Sequence, residues 1–316
     1  MKRHLRLALG LLLIAGALAG CGKTTNSSAP AGGTSANGTT VDQAQVNDAI
    51  ANNPGMVDED VYQNTAPMSA SEAGSGFNAI TPLHWWRSIR SVDRSFDTQF
   101  SDPDSLGNFT LATVTIRKHL LGSFNILIGD SAVTDSGRSL IRKPLDDRWV
   151  RKILLRRVRE DSVGGDSSMS RRAHWRIIGT SGAQVTAKDA VTRILSVRIQ
   201  AGAVDTLITD PLLLHRLRKL IWIAPNTQAQ ITVTTNSADN LVFLYHHDSR
   251  SHFHANGDGT FSTRWTTSDF GGLRHFGVDA IAHATLYDDA AAYDSQAWII
   301  PFAVRGDDRD VEHDSH

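Results

Sequence analysis

The sequence predicts a mainly β protein: a curved antiparallel sheet domain of α+β type and then a β-sandwich, both after a disordered N-terminal tether. Three observations predict it. From residue 111 to residue 304 the chain is a succession of β-branched and aromatic runs divided by Gly, Asp, Ser and Asn clusters, the punctuation of strands and turns. Ahead of them, Trp85, Ile89, Val92 and Phe96 recur at intervals of 4, 3 and 4, the spacing of one helical face. Gly22 to Thr40 uses only Gly, Lys, Thr, Asn, Ser, Ala and Pro, a composition that buries too little apolar surface to offset chain entropy.

Composition narrows the function classes. The 316 residues are 41% hydrophobic and 21% charged, enough for about two domains. With 32 Lys and Arg against 33 Asp and Glu, no global field favours nucleic acid as a partner. The single cysteine excludes an intrachain disulfide and a thiolate-rich zinc site.

The N-terminus reads as an address. Lys2, Arg3, His4 and Arg6 make a basic start, and Leu7 to Gly20 is an apolar run short for a membrane-spanning helix. It ends in Leu18-Ala19-Gly20-Cys21, which resembles the bacterial lipobox, where the leader is cut before a lipid-modified cysteine. That resemblance implies a signal peptide over 1–20 and a lipoprotein held at the membrane by palmitate-type acyl chains on Cys21. Leader removal deletes Lys2, Arg3 and Arg6, leaving 29 basic residues against 33 acidic, a formal charge of −4. Gly22 stands where an Asp would retain a Gram-negative lipoprotein at the inner membrane, so the outer membrane is the expected destination.

The tether is expected to run from 21 to 78. Thr81 and Pro82 look like an N-cap and a first helical position, opening a helix near 81–90 within an α+β domain over 79–205. Residues 81–202, with one helix followed by long β runs, resemble the curved-sheet cystatin and NTF2-like folds. A second domain is expected over 206–304, in six or seven short strands with a hairpin turn at Asn256-Gly257-Asp258-Gly259. It is similar to immunoglobulin-like and fibronectin-III-like sandwiches. Residues 305–316 form an acidic tail, expected to fray.

Three constellations are candidates for chemistry. Gly129-Asp130-Ser131 after the apolar run 124–128, with Asp310 and His313 near the end, looks like the serine and histidine blocks of SGNH or GDSL hydrolases. That family needs an α/β sheet, whereas strands and turns separate the two blocks here, so no catalytic activity is expected. Six of the thirteen histidines fall between 246 and 283, and His246, Asp248, His252 and His254 would form a metal site if a hairpin brought the two pairs together. Twelve Lys or Arg against five acids between Arg138 and Arg176 make an anionic-ligand patch, centred on Arg151, Lys152, Arg156, Arg157 and Arg159.

The expected function is therefore that of a lipid-anchored cell-envelope protein of the binding or structural class. Its expected partners are membrane lipid through acylated Cys21, and an anionic envelope polymer or another envelope protein. No cofactor and no nucleic acid are expected.

Overall fold

A computed structural model describes residues 40–57, 68–69, 80–129, 138–159, 173–246 and 249–305. The helices α1 (Thr40–Ala51) and α2 (Pro54–Val57) and the short β1 (Met68–Ser69) precede four long strands, β2 (Pro82–Phe100), β3 (Leu111–Ile128), β4 (Ser139–Arg159) and β5 (Ala173–Ala187). Shorter strands follow: β6 (Ile194–Ala201), β7 (Val204–Ile208), β8 (His215–Arg216), β9 (Ile221–Ile223), β10 (Gln228–Thr235) and β11 (Leu241–His246). The last are β12 (Ser249–His252), β13 (His254–Ala255), β14 (Thr260–Thr266) and β15 (Gly272–Ile281), then α3 (His283–Tyr287) and β16 (Ser295–Val304).

These strands make two sheets. The larger runs β1-β2-β3-β4-β5-β16-β15-β11-β12, with β8 on β5 and β9 on β16; the smaller runs β13-β14-β10-β6-β7. All pairings are antiparallel except β9 with β16. The large sheet curls until β2 and β11, with five strands between them in the order, face each other: the rings of Trp85 and Phe243 are 5.0 Å apart.

Strand alternation gives the large sheet two different faces. Val114, Ile116, Trp149, Ile153, Trp175, Phe243 and Ile299 fill its concave side. On the opposite side, Val242, Leu244, Phe276, Val278, Trp298 and Phe302 meet Val197, Ile231, Val233 and Phe261 of the smaller sheet, forming a β-sandwich. Strand β16 lies in both cores at once, which is why all ten of its residues are buried.

Three expectations change. The helix near 81–90 is instead part of strand β2. Trp85 and Ile89 pair with Ile126 and Gly122, Arg90 is an extra unpaired residue, and Val92 and Phe96 then pair with Leu120 and Ile116 on the same face. A one-residue bulge in a period-2 strand thus reproduces the 4-3-4 spacing of a helix. Pro82 is tolerated as the first residue of the strand.

The coil expected over 21–78 is helical at Thr40–Ala51 and Pro54–Val57, and Val46, Ile50 and Val57 are buried in the concave core. Only two apolar residues four apart anchor α1, so composition alone reads as coil, and docking supplies the stability. Asp42 pairs with Arg157 at 3.4 Å and Gln43 donates to the Thr98 hydroxyl at 3.0 Å.

The boundary expected at 205/206 falls inside β7. The β6–β7 hairpin belongs to the smaller sheet, while β11, β12, β15 and β16 extend the sheet begun by β2–β5, so the two expected domains share strands. All described residues belong to one compact unit, 33–316.

At the bulge, a Cβ on Gly122 would collide with the Ser88 carbonyl oxygen across the ladder. Gly122→Ala should therefore destabilise the protein by about 1–3 kcal/mol, from forced backbone shifts in a packed sheet. Urea denaturation of the two forms measures it; an unchanged midpoint would contradict the close approach.

Candidate functional site

Charged residues appear inside the concave core at positions whose strand parity leaves no other place for them. On β2, Trp85 and Arg87 are two residues apart and both face inward; on β4, Asp147 sits between inward Leu145 and Trp149; on β15, Asp279 shares the inward face with Ile281. Arg87 is 1% exposed and Asp279 and Asp147 are 0% exposed, so each charge depends on partners within the protein.

Those partners are printed in the geometry of the guanidinium. One terminal nitrogen of Arg87 lies 2.7 Å from Asp279 Oδ2 and 3.3 Å from Ser295 Oγ. The other donates to the Tyr245 hydroxyl at 2.9 Å, and Nε donates to the Tyr293 hydroxyl at 3.0 Å. The Tyr245 hydroxyl donates to Asp279 Oδ2 at 2.7 Å, and that of Tyr293 donates to Asp147 Oδ2 at 3.2 Å. The rings of Trp85, Phe124 and Tyr293 lie 5.3, 5.7 and 5.6 Å from the guanidinium carbon, adding cation–π attraction in a site without bulk water.

Burial is the main cause that pushes both tyrosine hydroxyls well above their ordinary pKa, with the Asp279 carboxylate adding to the rise at Tyr245. Both therefore stay protonated and act as donors. The network spans β2, β4, β11, β15 and the start of β16, joining strands that are far apart in the ladder. All three guanidinium nitrogens and both tyrosine hydroxyls find their partners within the network, so its evident chemical role is to hold the curled sheet closed.

The predicted metal ligands do not converge. His246 lies on the sandwich side of β11, its ring 5.9 Å from that of Trp265. His252 pairs across from Phe243 and faces the concave side, with the two rings 4.9 Å apart. His254 is in the other sheet, paired with Ser262 and exposed. Asp248 lies outside the described residues. Among the described residues no three potential ligands gather to hold a metal ion. His252 and His254 do border one open cleft of about 950 Å³, where Asn236, Asp239, Asn240 and His283 stand among apolar neighbours such as Leu241 and Phe253.

The predicted anionic-ligand patch divides by parity. Arg151 is 0% exposed, donates to the Met56 carbonyl at 3.0 Å and lies against the Trp149 ring, so it belongs to the core and not to a surface patch. Arg157 is tied to Asp42 of α1. Lys152 and Arg156 point outward, Lys152 partly buried and Arg156 exposed. Arg159 ends β4, paired in the ladder with Ala173. Cys21, the Asp130–Ser131 pair and the Asp310–His313 pair all lie outside the described residues, and the near-exclusive antiparallel pairing differs from the α/β sheet of the SGNH family.

Compared with family models, curated proteins and solved structures, the chain gives no match. No helix among the described residues is long and apolar enough to cross a membrane.

Two measurements probe the buried network. Arg87→Met leaves Asp279 buried without its cation and should cost about 3–5 kcal/mol, whereas Arg87→Met with Asp279→Leu should recover much of that loss. Additive urea midpoints would show that the pair is uncoupled. Alkali tests the tyrosines. Because their folded pKa values lie above the unfolded value of about 10, their contribution is complete below that pH and is lost as pH rises beyond it. Denaturation midpoints from pH 8 to 11 should fall more steeply for wild type than for Tyr245→Phe/Tyr293→Phe; equal slopes would contradict the assignment.

Proposed function

We propose that this chain is a lipid-anchored protein of the bacterial cell envelope, of the binding or structural class, acting through its surfaces and not through a catalytic centre. The observation that carries this reading is the run Leu18-Ala19-Gly20-Cys21 at the end of a basic-then-apolar leader, with the one cysteine of the chain at the lipidation position. The organisation of the folded part supports it. Thr40, the first described residue, lies nineteen residues beyond Cys21, and the buried Arg87 and Asp279 partner each other inside the sheet. The open histidine-lined cleft and the exposed outward cations Arg148, Arg156 and Arg176 of β4 and β5 are surfaces that a ligand can reach. Gly22 favours the outer membrane as the site of residence.

Expression in a Gram-negative host tests the anchor. Wild-type protein should pellet with membranes, resist extraction by high salt, dissolve in detergent, and carry an N-terminal peptide whose mass includes acyl chains on Cys21. Cys21→Ser should retain residues 1–20 and lose that mass, and Gly22→Asp should move the protein to the inner-membrane fraction. Wild-type protein recovered unacylated, with its leader attached, would overturn the proposal.

A further inference from the structure

Strand parity sends one set of cations inward and leaves another on the outer face of β4 and β5. From Arg148 to the end of β4 the outward residues are Arg148, Val150, Lys152, Leu154, Arg156 and Val158, a strict alternation of cation and aliphatic side chain over six positions. Arg156 stands directly opposite Arg176 of β5, and both are exposed. Side chains so paired have Cβ atoms about 5 Å apart, and like charges there are destabilising. Nearby, Arg117 and His119 of β3 are answered by Asp97 at 3.7 Å and Asp146 at 2.6 Å. Among the described residues no carboxylate forms an ion pair with Arg148, Lys152, Arg156 or Arg176. The smaller sheet packs on residues of β9, β11, β15 and β16 and on none of β4, and Arg148 and Arg156 of β4 are exposed.

We propose that this cation–aliphatic face docks on an anionic phospholipid surface. It rests on the anchored reading above and names a ligand for one of the surfaces offered there. Charge complementarity selects an anionic partner, and the interleaved Val150, Leu154 and Val158 favour a lipid interface over a fully hydrated polymer, because their side chains have apolar surface to lose there. Thr40 lies nineteen residues beyond Cys21, a span of at most about 65 Å by whatever path, so acylated Cys21 holds the folded unit close to the bilayer. Tethering converts weak contact into a high local concentration.

The test uses residues 22–316, which retain the whole 33–316 unit and lack the acylation site. This protein should sediment with phosphatidylcholine vesicles containing 30% phosphatidylglycerol, not with pure phosphatidylcholine vesicles, and sedimentation should fall as NaCl rises from 50 to 300 mM. Each cation near such a surface contributes about fivefold in affinity, so Arg156→Gln/Arg176→Gln should weaken binding about thirtyfold. Arg148→Gln/Lys152→Gln should do the same, while Arg264→Gln, on the outer face of the smaller sheet, should not change it. Arg176→Glu should abolish binding yet raise the thermal midpoint, since it turns a repulsive pair into an attractive one; a purely structural role for Arg176 predicts a lower midpoint. Equal binding to neutral vesicles, no binding at all, unaltered binding by the paired variants, or retention on a soluble polyanion without vesicle sedimentation would each overturn the proposal. The assay contains no acylated cysteine, so its failure is separate from failure of the anchor, which the Cys21→Ser fractionation reads alone.

Discussion

The ion pair between Arg87 and Asp279, 2.7 Å across the inside of the curled sheet, is the constraint on which the rest of the fold depends. Arg87 lies near the start of the long-stranded half and Asp279 in the half that also forms the sandwich, and backbone pairing connects them only through four intervening strands. A sheet of this width has a natural right-handed twist but no inherent reason to stop at one curvature. A buried charge pair supplies that reason, because separating the partners without water between them is far more costly than exposing an aliphatic contact. Tyr245, Tyr293 and Ser295 make the arrangement directional: each guanidinium nitrogen has its own acceptor, and a shift along any strand would leave one unfilled.

A second consequence follows from β16. It enters the sheet between β5 and β15 although it is the last of the described strands, and it contributes Ala297 and Ile299 to one core and Trp298, Ile300 and Phe302 to the other. The two cores are therefore opposite faces of the same backbone, and the long-stranded half lacks its central neighbour until the C-terminal strand arrives. Local hairpins β2–β3 and β3–β4 have sequence-adjacent partners, whereas closure between β5 and β16 joins residues more than a hundred positions apart. By loop-closure entropy that pairing is the expensive one to form.

How much of this was legible depended on whether a signal was local. The mainly β character and most strand positions were legible, since alternation and turn clusters act within a few residues. The 4-3-4 run from Trp85 to Phe96 misled because one bulge residue, Arg90, imitates a helical period, and only the paired strand reveals the extra residue. Helix α1 was invisible because its stability lies in surfaces supplied by β2, β4 and β5. The boundary at 205/206 was misplaced because a sheet shared between two halves of a chain leaves no composition change where strands cross over. The Arg87 network did have a local trace, a charged residue at the inward parity of an apolar alternation at Arg87, Asp147 and Asp279, but the identity of its partners is a property of the closed sheet.

Parity also explains why a single basic segment serves two physical ends. Between residues 147 and 158 the odd positions face the concave core and the even positions face outward, so adjacent cations such as Arg151 and Lys152 live in opposite environments one residue apart. Arg151 is enclosed by Trp149 and the Met56 carbonyl and is fully buried, so it cannot touch a ligand on the outer face. Counting charge along the chain therefore overstates the patch. Its effective strength comes from Arg148, Lys152 and Arg156 with Arg176 opposite, fewer cations than the sequence suggests but spaced regularly on one face. A field built this way extends along the strand direction, and any anionic surface that meets it is read by its charge density over several strand residues and not by a single coordinated group.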